Sequence, residues 1–170
     1  MKLLTNPNGG DGHKRPGVMI PIPQYPLYSA SLAEYNMHQI GYFLNEDKNW
    51  SLDISEIERA YEAAANECTP RAIVIINPGN PTGNVLSRAN IEAVVKFAEE
   101  KKLFVFADEV YQDNVYADGC QFHSFKKVIF GLQSKIFSVL FSKIVSFFIL
   151  TPYNQVPNLF LNLRGKEKLE

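Results

Sequence analysis

Ala72-Ile73-Val74-Ile75-Ile76 runs straight into Asn77-Pro78-Gly79-Asn80-Pro81-Thr82-Gly83, and Leu103-Phe104-Val105-Phe106-Ala107 runs straight into Asp108-Glu109-Val110-Tyr111. Neither apolar run alternates with polar residues, so each reads as a strand covered on both faces. Between them, Ser87 is placed to cap a helix in which Ile91, Val94, Val95 and Ala98 line one face, with Glu92 and Lys96 as a favourable pair on the other. Strand, helix, strand at this spacing is a βαβ unit, two parallel strands joined by a right-handed crossover. In an open α/β sheet, ligands bind beyond the carboxyl ends of the strands. Asn80 and Asp108 sit at those ends.

Working outward, Asp53 followed three residues later by Glu56 is a capping-box pattern, and Ile54, Ile57, Ala60, Tyr61 and Ala64 behind it fall on one helical stripe that ends near Asn66 to Pro70. Val18 to Ile22 and His38 to Leu44 are strand signals, the first stopped by Pro21, Pro23 and Pro26 because proline cannot donate to a central ladder. Leu27 to Asn36 has a partly helical spacing through Leu27, Ala30, Ser31 and Ala33. The first residues, rich in Gly, Asn, Asp and Pro, read as a loop or frayed end. From 128 to 163 no strand or helix period is visible.

A chain of 170 residues can bury one ordinary core. With 17 basic against 18 acidic residues, no field attracts nucleic acid or an anionic membrane. Lys135 and Lys143 interrupt the apolar stretch from 129 to 150 and argue against a transmembrane span. Cys68 and Cys120 lack a CxxC spacing, so free thiols in a reducing compartment are expected, and no metal-ligand pattern is present. No apolar segment near Met1 has the length of a signal peptide.

Asp108 follows five apolar residues, so its carboxylate emerges where desolvation disfavours charge unless a cation is near. Capping the following turn is the plainer role for such an Asp. A magnesium-bound water in a small nucleotide hydrolase is another, but that chemistry needs a Gly-Lys-Ser or Gly-Lys-Thr phosphate loop, which the sequence lacks. Asn80 lies between Pro78 and Pro81, a stiff setting that would aim an amide in a fixed direction, although Asn, Pro and Gly also make ordinary turns. Tyr111, three residues past Asp108, is within reach of the same crevice.

Three separated segments together, Asn77 to Gly83, Asp108-Glu109-Val110-Tyr111 and Pro21-Ile22-Pro23-Gln24-Tyr25-Pro26-Leu27-Tyr28, resemble the pyridoxal-phosphate aminotransferases of the aspartate-aminotransferase fold type. Val18 to Ala30, Asp108 to Tyr116 and Phe122 to Val128 narrow the resemblance to the alanine aminotransferase branch. It implies part of the mostly parallel, three-layer α/β/α large domain of a fold-type-I enzyme. The cofactor implied is pyridoxal 5'-phosphate, with Asp108 on the protonated pyridine nitrogen, Asn80 and Tyr111 on the ring's phenolic oxygen, and Tyr25 stacked on the ring face. The substrates implied are amino acids and 2-oxo acids, L-alanine and 2-oxoglutarate in particular, and the assembly a homodimer in the cytoplasm or mitochondrion, the cytoplasm being favoured. The resemblance gives Tyr28, Tyr116 and His123 no role.

The family's enzymes also need a lysine joined to the cofactor. Lys143, after Ser142, has a fitting place in the order, but neither it nor Lys135 is followed by the glycines and arginine of the family's lysine segment. The expected organisation is therefore a frayed stretch at 1–14, a partial cofactor-binding domain over 15–128, and a divergent apolar tail over 129–170. A chain so built is expected to be an incomplete, weakly active or inactive fragment of the longer enzyme. The alternative is a noncatalytic fragment that associates with full-length subunits.

Overall fold

The computed structural model describes residues 4–5, 14–132 and 144–147. The strands and helices alternate as β1 (Pro16–Ile22), α1 (Leu27–Glu34), β2 (His38–Phe43), α2 (Ile54–Ala64), β3 (Thr69–Ile76), α3 (Arg88–Glu100), β4 (Phe104–Asp108), α4 (Phe125–Gly131) and β5 (Ile144–Phe147). The strands form one sheet in the order β2-β1-β3-β4-β5. Every pairing is parallel.

Both of the expected doubly buried strands are present, because β3 and β4 are covered on each side. Val18, Ile20, Ala72, Val74, Ile76 and Phe106 face α1, where Tyr28 and Leu32 meet them. Met19, Ile73, Ile75, Val105 and Ala107 face the other way, onto Ile57 and Ala60 of α2, Ile91, Val94 and Val95 of α3, and Phe125, Val128 and Ile129 of α4. Alternate side chains of a strand point to opposite faces, so the result is the three-layer α/β/α arrangement. The α3 stripe is buried as expected, and the Ser87 side chain accepts from the Asn90 amide to start the helix.

Local details depart from the sequence reading. Asp53 caps α2 through the Ser55 amide, but Glu56 does not return the bond; its carboxylate instead takes the Phe43 amide at 3.0 Å and the Arg59 guanidinium. A donor at the open edge of β2 and a nearby cation outbid the capping position. Glu92 pairs with Arg88 at 2.8 Å, one turn earlier, rather than with Lys96. In α1 the buried residues are Tyr28 and Leu32, an i,i+4 pair, while Leu27 is exposed. Past residue 128 the structure describes the rest of α4 and β5, elements of seven and four residues that are too short to display a period, and the remainder of the expected tail, 133–143 and 148–170, lies outside the described residues.

The order of the strands sets up the site. From β1 the chain moves outward to β2, and from β3 it moves the opposite way to β4. A crevice opens at such a reversal, beyond the carboxyl ends of β1 and β3. β1 and β3 approach closely at the other end of this pair, where a Cβ on Gly17 would lie 2.5 Å from the Cys68 sulfur. Their ladder ends at Met19 opposite Ile73. One residue further along β3, the Val74 carbonyl receives the buried Tyr42 hydroxyl at 2.8 Å. Pro21 of β1, next in line, has no N–H to offer.

Candidate functional site

Ile76 of β3 stands opposite Asp108 of β4, and the Asn77 amide donates to the Asp108 carbonyl at 2.9 Å, so the two strands stop at the same level. The chain then turns through Asn77 to Gly83. Asn77 is fully buried; its Oδ1 accepts from the Leu86 amide at 2.9 Å and its Nδ2 donates to the His123 carbonyl at 3.4 Å. One side chain thus pins both the turn after β3 and the segment leading into α4. Within the turn, Gly79 donates to the Asn84 carbonyl and accepts from Gly83, whose φ is +70°. A Cβ on Gly79 would overlap the Asn84 and Thr82 side chains, themselves joined by a hydrogen bond.

This turn presents Asn80 toward its neighbours on either side. Its carbonyl accepts from the Tyr25 amide at 3.1 Å, tying the strand end of β1 to that of β3 across the reversal in strand order. Its Nδ2 donates to the Tyr111 hydroxyl at 3.4 Å. Tyr25 is largely exposed, 59% accessible, and Tyr111 partly so, 39%. Three of the four expected cofactor residues are therefore linked in a line across the mouth of the crevice.

Asp108, the fourth, is buried and makes no hydrogen bond to Asn80 or Tyr111 among the described contacts. Strand alternation puts it on the same face as Phe104 and Phe106, toward α1. There its Oδ2 accepts from the Tyr28 hydroxyl at 2.7 Å, and its Oδ1 from the Val110 amide at 3.3 Å. The second contact is the turn-capping role that sequence alone left open. Among the described residues, the ion pairs of Lys, Arg and His go elsewhere. A buried carboxylate with only neutral donors is chemically suited to a cationic partner, and a protonated ring nitrogen is one.

Glu109, next in the chain, points to the opposite face. Its carboxylate takes the Phe125 amide at 2.6 Å and the Ser124 hydroxyl at 3.1 Å, closing the start of α4. Burial raises its pKa above the ordinary carboxylate range, and the neighbouring Asp108 charge adds to that, against the lowering effect of the two donors. Burial, with the Asp108 charge behind it, likewise pushes the Tyr28 phenol far above its usual range.

Sequence reasoning missed Tyr28, Asn77 and Glu109. Alternation along β4 was the available signal for the last, since neighbouring Asp and Glu at the end of a covered strand must enter different layers. Lys143, the candidate for the covalent lysine, lies outside the described residues. No group of His, Cys, Asp and Glu able to hold a metal is found among the described residues, nor any helix long and apolar enough to cross a membrane. A small apolar cleft under the Gly79 to Asn84 turn, lined by Pro23, Leu44, Leu52 and Leu86, does not include the four expected cofactor residues.

Comparison with known proteins gives a consistent result. The family model for aminotransferase class I and II matches residues 12–143, running past the boundary expected at 128. An alanine aminotransferase 2-like protein of Danio rerio is 64% identical over 132 residues, which are 78% of this chain and 24% of the relative. Alanine aminotransferase 1 of Homo sapiens is 60% identical over 129 residues, 76% of this chain and 25% of the relative. The chain spans about a quarter of the length of these curated relatives. Among solved structures, an aminotransferase from Escherichia coli superposes with a TM-score of 0.59 at 31% identity, covering 67% of this chain and 27% of that one. An aromatic aminotransferase from Pyrococcus horikoshii, at 24% identity, shares the fold with a TM-score of 0.64 over 79% of this chain and 32% of its own.

Proposed function

The chain belongs to the class I and II aminotransferases, and on that footing we propose that its described residues form the cofactor-binding part of an alanine-type aminotransferase. The reaction proposed is amino transfer between L-alanine and 2-oxoglutarate, in keeping with the names of the relatives. When bound, pyridoxal phosphate supplies an electron sink for the carbanion left by loss of the substrate's α-proton. Asp108 holds a proton on the ring nitrogen by offering an ionised acceptor. Asn80 and Tyr111 donate to the phenolic oxygen, and Tyr25 covers the ring face with an exposed aromatic surface that an offset stack would bury.

The observation that carries the proposal is the buried Asp108 carboxylate at the end of β4, bonded only by neutral donors and level with the turn that bears Asn80. Homodimerisation, and residence in the cytoplasm in preference to the mitochondrion, belong to the same proposal. Because neither Lys135 nor Lys143 stands in a Gly- and Arg-rich segment, we expect the chain alone to bind the cofactor and to turn over weakly or not at all.

Titration of the chain with pyridoxal phosphate, followed by cofactor absorbance and protein fluorescence, tests the binding. Asp108→Asn is expected to weaken it by at least tenfold, because a charged hydrogen bond contributes about 1.5–3 kcal/mol. Equal affinity of D108N and the unaltered chain would remove the proposal. Borohydride reduction and peptide mapping then test turnover: a stoichiometric adduct on Lys143, accompanied by exchange of alanine's α-proton, would overturn the expectation of weak activity.

A further inference from the structure

Tyr28 lies in the first turn of α1, three residues after Tyr25, and is only 7% accessible. The helix follows β1, whereas Asp108 ends β4, with β3 between them. On the α1 face of the sheet the phenol reaches from the helix that follows β1 to Oδ2 of the residue that ends β4, at 2.7 Å. A buried aromatic that needed only packing could end in a methyl or a plain ring. This one carries its hydroxyl to the single carboxylate that the cofactor reading makes central, and Oδ1 is held separately by the Val110 amide. The two donors fix the plane of the carboxylate. Of the groups around it, Glu109 turns its charge away to Ser124 and Phe125, so Tyr28 is the one side chain in the described structure with a hydrogen bond to Asp108.

We propose that Tyr28 is a positioning residue that keeps Asp108 an ionised acceptor, so that the proton shared between Asp108 and the cofactor's ring nitrogen rests on the nitrogen. The inference rests on the cofactor reading above. A hydrogen bond to a carboxylate favours its charged form and makes it a weaker competitor for the shared proton. The burial that keeps the Tyr28 phenol protonated makes it a standing donor. The same contact anchors the first turn of α1, and with it the Tyr25 backbone that meets Asn80. Tyr28 in this way couples the carboxylate under the ring nitrogen to the aromatic side chain proposed to cover the ring face.

The test loads the full chain with nitrogen-15-labelled pyridoxal phosphate and reads the ring-nitrogen resonance, which separates protonated from neutral pyridine. The unaltered chain, Tyr28→Phe, Asp108→Asn and a chain with a difluorinated tyrosine at position 28 are compared. Tyr28→Phe is expected to move the resonance toward neutral pyridine and to weaken binding about tenfold, the scale of one lost hydrogen bond to a charged group. The difluorinated side chain, a stronger donor of nearly the same shape, is expected to move it the opposite way. If Tyr28→Phe fails to fold by circular dichroism, the difluorinated chain decides. Resonances unchanged in both Tyr28 variants, with binding weakened in D108N, overturn this inference and leave the cofactor reading standing. Binding in D108N equal to that of the unaltered chain, or no binding by the unaltered chain, removes both.

Discussion

Replacing Asn77 with Ala should destabilise the chain by about 2–3 kcal/mol, more than its small side chain suggests. The residue is fully buried, and its Oδ1 is the partner of the Leu86 amide at 2.9 Å. Leu86 is itself buried at 3% accessibility, so its orphaned N–H would have no easy route to water. A buried donor left without a partner costs about 1–3 kcal/mol. The lost Nδ2 bond to the His123 carbonyl, longer at 3.4 Å, adds less. Urea denaturation reads the effect: with a slope of about 1–3 kcal/mol per molar for a domain of this size, the midpoint should fall by roughly 1 M or more at unchanged slope. Asn77→Asp sharpens the test. It keeps the acceptor for Leu86 but sets a second acceptor against the His123 carbonyl and places a charge in a dry site, so it should be at least as destabilising near neutral pH. The buried Asp titrates above an unfolded one, so the folded state binds the extra proton and N77D should regain stability on acidification, whereas N77A should not. A midpoint for N77A within error of the unaltered chain, or parallel pH profiles for the two variants, would refute the assignment of Asn77 as the pin between the turn and α4.

Glu109→Gln should change how stability depends on pH. Burial raises the Glu109 pKa above its ordinary 4.5, so the folded state holds its proton to higher pH than the unfolded chain, and stability falls as pH climbs from 4.5 to the raised folded value. Gln keeps an acceptor for the Phe125 amide without the charge, and urea midpoints measured across that window should lose this part of the decline; an unchanged profile would count against it. Tyr42→Phe should cost about 1–2 kcal/mol by equilibrium unfolding, because it strips the Val74 carbonyl of its 2.8 Å donor within the core. Ile75→Ala, at a residue 1% accessible in β3, should cost about 2–5 kcal/mol and Ile75→Val about 0.5–1.5 kcal/mol; equal costs would mean that the α2 and α3 layer repacks freely onto the strand.

The parts of this molecule that the sequence made readable are those where one local signal had only one outcome. Val74 and Ile75 lie in a run with no polar alternation, so β3 had to be covered on both faces whatever packed against it. Ser87 followed by an apolar stripe could hardly be anything but the start of α3. The turn from Asn77 to Gly83 was visible because proline fixes φ and interrupts a strand, while glycine permits the left-handed φ found at Gly83. Tyr28 was not readable, for a reason of geometry: its role depends on which face α1 covers and on which strands lie between β1 and β4. Neither follows from the spacing of apolar residues in an eight-residue helix with two buried side chains. Glu56 and Glu92 show the same limit on a smaller scale. Each had a plausible local partner in sequence and took a different one, because Phe43 at the strand edge and Arg88 one turn back were better placed.

Asp108 and Glu109 show how the fold can treat two adjacent carboxylates differently. Both are buried, at 6% and 5% accessibility, and each would be costly as an isolated charge. Strand alternation sends them into different layers. Glu109 meets the amide that opens α4 and the Ser124 hydroxyl, an arrangement complete in itself that joins β4 to the helix. Asp108 meets one phenol and one distant amide, both neutral, at the end of the sheet where β1 and β3 part company. Each carboxylate thus has two neutral donors, and what separates the two is where they sit: Glu109 is closed in against the start of α4, whereas Asp108 ends β4 level with the turn that bears Asn80. Under the proposed function, that place lets Asp108 be half of an ion pair whose other half is a ligand. Its position on the face toward α1 then explains why the helix following β1 supplies a tyrosine rather than an aliphatic residue at position 28.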